Sequence, residues 1–268
     1  MHVTVGADNG RNHGAPTERY GIAGYGASTY GDTFADVYDD WYADLDDKDF
    51  VRYISSLLPN HPVSVLELGV GTGRLLAEFR ALRPHKDVLS GIDSSPAMID
   101  KLRARPGLED VCITVGDFAD QLPEGPFDLI FVGYNTLFNL PDDDALRACL
   151  SLVRDKLSPT GFFALDVVVP EPSSTSDVVS VKSITADSVT LSVSRHNHHE
   201  QRITGQFVDI TNVSGVRLRP WSVRYWTPEQ LDVHAAASGL SLHARYADGD
   251  GAEHDGDNAR HISTYIHA

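Results

Sequence analysis

Residues 63–73 read VSVLELGVGTG, an apolar run of the strand type that ends in Glu67 and Leu68. Glycine then stands at every second position: Gly69, Gly71 and Gly73. A helical pattern begins directly afterwards, at Arg74. Glycine permits positive φ and a close approach of a ligand to the main chain, and a helix N-terminus offers free N–H groups. The stretch therefore predicts a strand, a glycine turn and a helix that form a nucleotide-like cofactor site.

Two kinds of cofactor site compete for this turn. A dinucleotide site reads G-x-G-x-x-G, in which the last glycine begins the helix. Gly69 and Gly71 fit that spacing, but Arg74 occupies the last position, so the match to an NAD-type site is incomplete. The choice between the two depends on the motifs that follow along the chain.

Three further apolar runs of the strand type are each followed by polar or aromatic residues. These are Asp93 after residues 88–92, Asp117 and Phe118 after residues 111–115, and Gly133, Tyr134 and Asn135 after residues 127–132. In an open α/β sheet, ligands bind outside the carboxyl ends of the strands. The residues that follow these runs are therefore expected to meet at one site.

In this order and spacing, the four motifs resemble those of class I S-adenosylmethionine (SAM) methyltransferases. The resemblance implies an α/β fold with a Rossmann-like seven-stranded sheet, and SAM as the cofactor. It implies that Asp93 binds both ribose hydroxyls, that Asp117 and Phe118 hold the adenine, and that Tyr134 lies near the reacting methyl group. Its remaining implied cofactor contacts are Glu67, Gly69, Gly71, Gly73, Ser94 and Met98, although core packing explains Met98 equally well.

The segment before this core carries apolar and aromatic residues at helical spacing. They are Tyr30, Phe34, Val37, Tyr38, Trp41, Tyr42 and Leu45, and they predict one helix, with a second helix over residues 47–58. Packing against the sheet is the interpretation for Val37 and Trp41. Tyr30 and Tyr38 instead resemble the lid pair of antibiotic N-methyltransferases that act on lincosamides and amino sugars. The resemblance implies a catalytic role, in which the two tyrosines exclude water and face the sulfonium.

Residues 171–226 depart from the alternation of strands and helices. Four strands are predicted over residues 178–184, 189–197, 203–210 and 215–226. The three expected regions are a mobile N-terminus and helical lid (1–60), a SAM-binding core (61–170 and 227–268) and this antiparallel insertion (171–226). The insertion resembles the one that forms the acceptor-side wall or an oligomer contact in related enzymes, so a homo-oligomer is possible.

Residues that follow the fourth strand or end the insertion are the candidates for binding the methyl acceptor: Asn135, Phe138 and Tyr225. Strand alternation places Arg217, Arg219 and Trp221 on the same face as Tyr225. That face is expected to line either a pocket or a subunit interface. Asp166 interrupts the fifth apolar strand, and the sequence does not decide between a structural acid and a pocket acid.

Composition narrows the class of partner. The formal net charge is −16 without a compensating Lys/Arg cluster, which disfavours nucleic acid and suits a neutral or cationic small molecule. Cys112 and Cys149 are expected to be buried thiols. The histidines of residues 196–199 adjoin one another at a predicted turn, so a solvated turn is favoured over a metal site. No apolar run is long enough to span a membrane and no signal peptide begins the chain, which favours a cytoplasmic protein.

The chemistry of methyl transfer decides between acceptors. An amine that arrives neutral needs only proximity, alignment and desolvation, whereas a hydroxyl or carbon acceptor usually needs a base. No unambiguous base is present, which favours N-methylation of a small secondary metabolite. The alternatives are an O- or C-methyltransferase, a module that binds SAM or a nucleotide without turnover, and an NAD-dependent oxidoreductase.

Overall fold

A computed structural model describes residues 19–45, 48–83, 86–169, 176–256 and 258–268. Residues 1–27 are expected from the sequence to be mobile, and residues 1–18 of that range lie outside this part of the chain. So do the predicted start of the second helix at residue 47 and the predicted boundary between core and insertion at residue 170.

Seven strands form the central sheet. They are β1 (Ser64–Leu68), β2 (Val88–Asp93), β3 (Cys112–Val115), β4 (Phe127–Val132), β5 (Leu157–Val168), β10 (Leu240–Tyr246) and β11 (Arg260–His267). Their order is β3-β2-β1-β4-β5-β11-β10. Strands β1 to β5 pair in parallel, whereas β11 is antiparallel to both β5 and β10. This topology confirms the predicted Rossmann-like sheet with its closing hairpin.

Helices cover both faces of this sheet. They are α1 (Thr29–Phe34), α2 (Tyr38–Trp41), α3 (Lys48–Ser56), α4 (Arg74–Leu82), α5 (Pro96–Arg103), α6 (Asp143–Lys156) and α7 (Pro228–Ala237). Val65 and Leu129 belong to the core beneath α3 and α4, whereas their neighbours Leu66 and Ile130 belong to the core beneath α6 and α7. Burial on both faces explains why these strands read as continuous apolar runs. No helix within the described ranges has the length and apolarity that a bilayer crossing requires.

The insertion forms a separate four-stranded antiparallel sheet, which confirms the predicted architecture. Its strands are β6 (Ser176–Ile184), β7 (Ser188–Asn197), β8 (Arg202–Thr211) and β9 (Gly215–Arg224). Arg219 and Trp221 of β9 face α1 and α2, as described below. On the opposite face, Val179, Val181 and Leu218 are more than half exposed. Whether a second copy of the chain covers that face stays a prediction.

The aromatic segment before the core forms two short helices rather than the single predicted helix. A continuous helix would use the Thr33 carbonyl to accept from the amide of Val37. Here Arg219 donates to that carbonyl, and the Val37 amide bonds instead to Phe34 O at 2.9 Å. The prediction was wrong because the competing donor lies 186 residues further along the chain.

The two cysteines differ in exposure. Cys149 is fully buried in α6, as expected. Cys112 is exposed, so the expectation that it is a buried thiol was wrong. It lies on β3, which is the edge strand of the central sheet and is only partly covered.

Candidate active site

A cavity of about 510 Å³ lies at the carboxyl ends of β1 and β2, beneath α1 and α2. Its lining comprises Ala27, Tyr30, Gly31, Tyr38, Gly69, Gly71, Asp93, Ser94, Met98, Phe118, Thr136 and Asn139. That volume includes space open to solvent, so this first cavity is a cleft rather than an enclosed void. Eight of the predicted cofactor and lid residues meet in it: Tyr30, Tyr38, Gly69, Gly71, Asp93, Ser94, Met98 and Phe118.

The glycine turn adopts a backbone that other residues rarely take. Gly69, Gly71 and Gly73 have φ of 64°, 53° and 78°. A Cβ on Gly69 would lie 2.2 Å from Thr136 Cγ2, so the main chain there approaches its surroundings too closely for a side chain. Gly73 differs from the other two, because it caps α4 and packs against Leu102 rather than lining the cavity. The turn thus forms a cradle of bare backbone beside the cavity.

Asp93 ends β2 with its carboxylate at the cavity. Its Oδ2 accepts from the Gly71 amide and its Oδ1 from the Ser95 amide, both at 2.8 Å. Burial raises the pKa of Asp93 from its ordinary value, although these amide bonds act against that shift. Each carboxylate oxygen has two lone pairs, so both retain capacity for a ligand hydroxyl. The carboxylate is therefore oriented by the backbone before any ligand arrives.

The opposite wall of the first cavity is apolar. Phe118 and Met98 are buried and both contribute to the lining. Asp117 is only half-buried; its Oδ1 accepts from the Ala119 amide at 2.8 Å, and it is not among the lining residues. An aromatic ring, a thioether and a nearby carboxylate provide the surface and the acceptor that a flat purine ring requires.

A second cavity of about 290 Å³ adjoins the first. The two share four lining residues, Tyr38, Gly69, Gly71 and Thr136. Glu67 and Arg74 also line the second cavity, so it contains a carboxylate and a guanidinium of opposite charge. The Arg74 guanidinium lies over the ring of Tyr134, 5.7 Å from its centroid. Opposite charges near a shared wall suit a ligand with both an ammonium and a carboxylate.

The lid, defined here as residues 27–42, closes the first cavity from above. The hydroxyl of Tyr30 is 3.1 Å from that of Tyr42, and its ring stacks on Phe34 with centroids 4.4 Å apart. Burial raises the pKa of Tyr30 and that of Tyr38 above the ordinary tyrosine value. Both side chains therefore present neutral hydroxyls and apolar rings to the cavity at neutral pH.

Hydrogen bonds attach the lid to the core. Ser95 donates to Asp32 and Thr72 donates to Asp39, each at 2.7 Å. The Ser94 hydroxyl donates to the Ala27 carbonyl at 3.0 Å. Gly31 packs so closely on Ser95 that a Cβ there would lie 2.4 Å from Ser95 Cβ. These contacts place the lid directly over the end of β2.

The three predicted acceptor-binding residues lie outside both cavities. Asn135 Oδ1 accepts from the Val168 amide at 2.7 Å, which joins the turn after β4 to β5. Phe138 is buried in the core beneath α6 and α7. Tyr225 is also buried there, and its hydroxyl shares a 2.8 Å hydrogen bond with His196 Nε2. Their role in acceptor binding stays a prediction.

Four lining residues of the first cavity did not stand out in the sequence: Ala27, Gly31, Thr136 and Asn139. Thr136 and Asn139 belong to a 3₁₀ turn, Thr136–Asn139, that begins directly after Asn135. Tyr134 and Asn135 have φ of 50° and 62°, and this left-handed pair rotates the following turn. The polar residues after β4 predicted a ligand site at this place. The backbone geometry decides that Asn139, and not Asn135, lines the cavity.

The remaining polar clusters have structural partners. Arg260 donates to both carboxylate oxygens of Asp166, at 2.7 and 3.0 Å, so this buried acid belongs to a partly buried ion pair. Burial lowers the pKa of His196, which favours the neutral imidazole. Among the described residues, no group of three or more His, Cys, Asp or Glu side chains is arranged to hold a metal ion.

Comparisons with known proteins agree with this geometry. Residues 65–161 match the family model described as a methyltransferase domain. The CcbJ methyltransferase from Streptomyces caelestis superposes with a TM-score of 0.81 at 32% identity, covering 91% of this chain and 100% of that one. The sugar N-methyltransferase KedS8 from Streptoalloteichus has the same fold, with a TM-score of 0.64 at 17% identity over 98% of each chain.

A curated relative is the cypemycin N-terminal methyltransferase of Streptomyces, 30% identical over 120 residues. The match covers 45% of this chain and 48% of that protein, so the chain spans about half of its length. The similarity to CcbJ extends over nearly the whole chain, and the family model covers the glycine turn. Both agree with a cofactor site built from the glycine turn and Asp93. The chain belongs to the S-adenosylmethionine-dependent methyltransferases.

Proposed function

We propose that the protein transfers the methyl group of SAM to an amine nitrogen of a small secondary metabolite. The observation that carries the proposal is the lining of the two cavities. Within the described residues, neither lining contains a histidine, lysine or cysteine, and the carboxylates they contain, Asp93 and Glu67, are the ones proposed below to bind the cofactor. The tyrosine hydroxyls there have raised pKa values and are poor bases near neutral pH. A neutral amine needs no base before it attacks, whereas a hydroxyl usually does.

The residues of the two cavities fit the parts of SAM. Asp93 would accept from the ribose hydroxyls, and Phe118 and Met98 would contact the adenine with Asp117 at its edge. Glu67 and Arg74, of opposite charge, would face the ammonium and carboxylate of its amino-acid part. Gly69 and Gly71 would let the main chain approach the ligand. When bound, SAM supplies an electrophilic methyl group on a sulfonium.

Tyr30 and Tyr38 are proposed to act by excluding water and by presenting neutral oxygens and ring faces to the reacting groups. The acceptor is then brought close and aligned, which contributes most of what an in-line displacement needs. A net charge of −16 disfavours anionic acceptors and is compatible with an amine. The name of the cypemycin relative, an N-terminal methyltransferase, also supports nitrogen as the acceptor.

Paired acceptors test the proposal. The protein is incubated with SAM labelled in its methyl group and with amino sugars, each matched by the sugar that carries a hydroxyl in place of the amine. Label is expected on nitrogen, with the hydroxyl partners at least about 100-fold slower, because the carboxylates of the linings, Asp93 and Glu67, are engaged by the cofactor and no other base is at hand. Transfer to oxygen or carbon would favour the O- or C-methyltransferase alternative.

A calorimetric titration with S-adenosylhomocysteine (SAH), with NAD as the control, accompanies the screen. Binding of SAH and not of NAD is expected. SAH binding without transfer to any amine in a broad panel would instead support a non-catalytic SAM-binding module.

A further inference from the structure

Arg219 lies at the boundary between the inserted sheet and the lid. It is only 3% exposed, and its guanidinium is shared between two carboxylates. Nε donates to Asp209 Oδ2 at 2.7 Å, and Nη1 donates to Asp36 Oδ1 at 2.6 Å. Asp209 belongs to the same sheet, whereas Asp36 belongs to the lid. The Nε side of the guanidinium is therefore bonded within the sheet, and the Nη1 side is bonded to the lid.

The lid partner lies between the two helices that carry the cavity tyrosines. Asp36 follows α1, which contains Tyr30, and precedes α2, which begins at Tyr38. Arg219 also donates to the carbonyl of Thr33, at the point where α1 ends and the chain turns toward α2. The direction of α2, and with it the position of Tyr38, thus depends on a residue of the inserted sheet.

Two neighbouring contacts act in the same direction. Arg217, two residues before Arg219 on the same face of β9, donates to Asp36 Oδ2 at 2.6 Å. The ammonium of Lys182 on β6 lies 4.6 Å from the centroid of the Trp41 ring in α2. All three cations of this group belong to the inserted sheet, and their partners belong to the lid. The polar part of the attachment between lid and sheet is therefore concentrated at Asp36, beside the packing of Phe34 and Trp41 on Phe207.

We propose that Arg219 and Asp36 form a latch through which the inserted sheet holds the lid closed over the cofactor cavity. Arg219 is a positioning residue, because it belongs to neither cavity lining and acts on the cavity through the helices that carry Tyr30 and Tyr38. The effect of the latch on cofactor release rests on the proposed function. The attachment of the lid to the inserted sheet does not depend on it. Opening of the latch is the step that releases the spent cofactor.

The variant Asp36→Ala breaks the latch with the least damage to the fold. Asp36 is about half exposed, and Arg219 keeps Asp209, so no buried charge is left without a partner. Two matched controls are available in the same sheet. Asp177→Ala removes an exposed Asp–Arg pair with Arg195 that does not involve the lid. Asp209→Asn weakens the half of the Arg219 network that lies within the sheet.

Amide hydrogen exchange in the ligand-free protein is the deciding measurement. The amides of Ala35, Trp41 and Tyr42 donate within the lid to the carbonyls of Gly31, Val37 and Tyr38. In Asp36→Ala these amides are expected to exchange about tenfold faster, since a charged hydrogen bond that opposed opening is lost. In Asp177→Ala their exchange is expected to remain that of the wild type, and in Asp209→Asn the amides of β8 and β9 are expected to respond more than those of the lid.

The dissociation rate of SAH gives the second measurement, because a closed lid has to open before the ligand leaves. It is expected to rise by a similar factor of about ten in Asp36→Ala and to remain unchanged in Asp177→Ala. Arg219→Lys keeps the charge without the fork of the guanidinium, and is expected to restore only part of the protection.

Lid exchange in Asp36→Ala that equals the wild type would overturn the latch. So would an equal acceleration in Asp177→Ala, which would indicate a general loosening of the sheet. Failure of the wild type to bind SAH would contradict the proposed function, and the exchange measurement would still decide the latch.

Discussion

The glycine turn and the lid line the same cavity, yet they are held in place in opposite ways. The turn closes within residues 69–73 through three left-handed glycines. The lid is held by partners distant in sequence: Ser95 is 63 residues from Asp32, and Arg219 is 183 residues from Asp36. Backbone conformation thus fixes the cradle, whereas long-range polar contacts fix the cover. Changes in the turn are expected to abolish cofactor binding, and changes in the lid to alter how well the bound cofactor is used.

The largest effect is expected for Gly69→Ala. A side chain at φ of 64° costs about 1–2 kcal/mol, and its Cβ would also lie 2.2 Å from Thr136 Cγ2. We expect SAH affinity, measured by calorimetry, to fall by more than about 100-fold. Gly107→Ala is the matched control, since Gly107 has φ of 85° with no atom within 4 Å of the added Cβ. Equal affinities in the two variants would show that the turn is not the cradle.

The next effect is expected for Asp93→Ala, which removes the oriented carboxylate. Charged hydrogen bonds contribute about 1.5–3 kcal/mol each, so SAH affinity is expected to fall more than tenfold. The free energy of unfolding without ligand is measured in parallel, because Asp93 also accepts from the amides of Gly71 and Ser95. Unchanged SAH affinity in a folded Asp93→Ala protein would remove Asp93 from the cofactor site.

A smaller effect is expected in the lid. Tyr38→Ala removes the aromatic body and is expected to lower kcat about tenfold, whereas Tyr38→Phe removes only the hydroxyl and is expected to lower it about threefold. Tyr53→Phe is the control for the loss of a tyrosine hydroxyl. The Tyr53 hydroxyl shares a hydrogen bond with Thr264 and lines neither cavity. If neither Tyr38 variant changes turnover or SAH affinity, this tyrosine only packs.

The smallest effect is expected for the pH dependence of SAH affinity, which Tyr38→Phe should leave almost unchanged. Burial raises the pKa of Tyr38, so its hydroxyl stays protonated at pH values where an ordinary tyrosine begins to ionise. The ratio of SAH affinities between wild type and Tyr38→Phe is therefore expected to change less than about twofold between pH 8 and 10. Ionisation of SAH itself affects both proteins equally. A ratio that falls toward pH 10 would mean that the lid leaves this hydroxyl in water.

The same contrast explains how far the sequence predicted the structure. The strands around the turn are buried on both faces, and their apolar runs and glycine spacing are local signals that identify both the sheet and the cradle. Asp93 could be assigned for the same reason, because it directly ends a run that the sequence shows. These features depend on residues within one strand and the turn that follows it.

Long-range contacts account for what the sequence did not predict. The break between α1 and α2 depends on a donor from β9, and the exposure of Cys112 depends on the position of β3 at the edge of the sheet. The side chain of Asn135 is occupied by the Val168 amide, so Asn139 reaches the cavity in its place. In each case the deciding neighbour is remote in the chain or set by topology, and periodicity contains no information about it.

Trp41 lies in the lid, so its indole is an intrinsic fluorescent probe of lid movement. Its indole contacts Phe207 of the inserted sheet, with ring centroids 5.1 Å apart, and lies beneath the ammonium of Lys182. Opening of the lid would replace both neighbours by water and shift the emission of this indole to longer wavelength. With Trp221→Phe and Trp226→Phe in place, the remaining emission would report the movement of the cover in real time, without any added label.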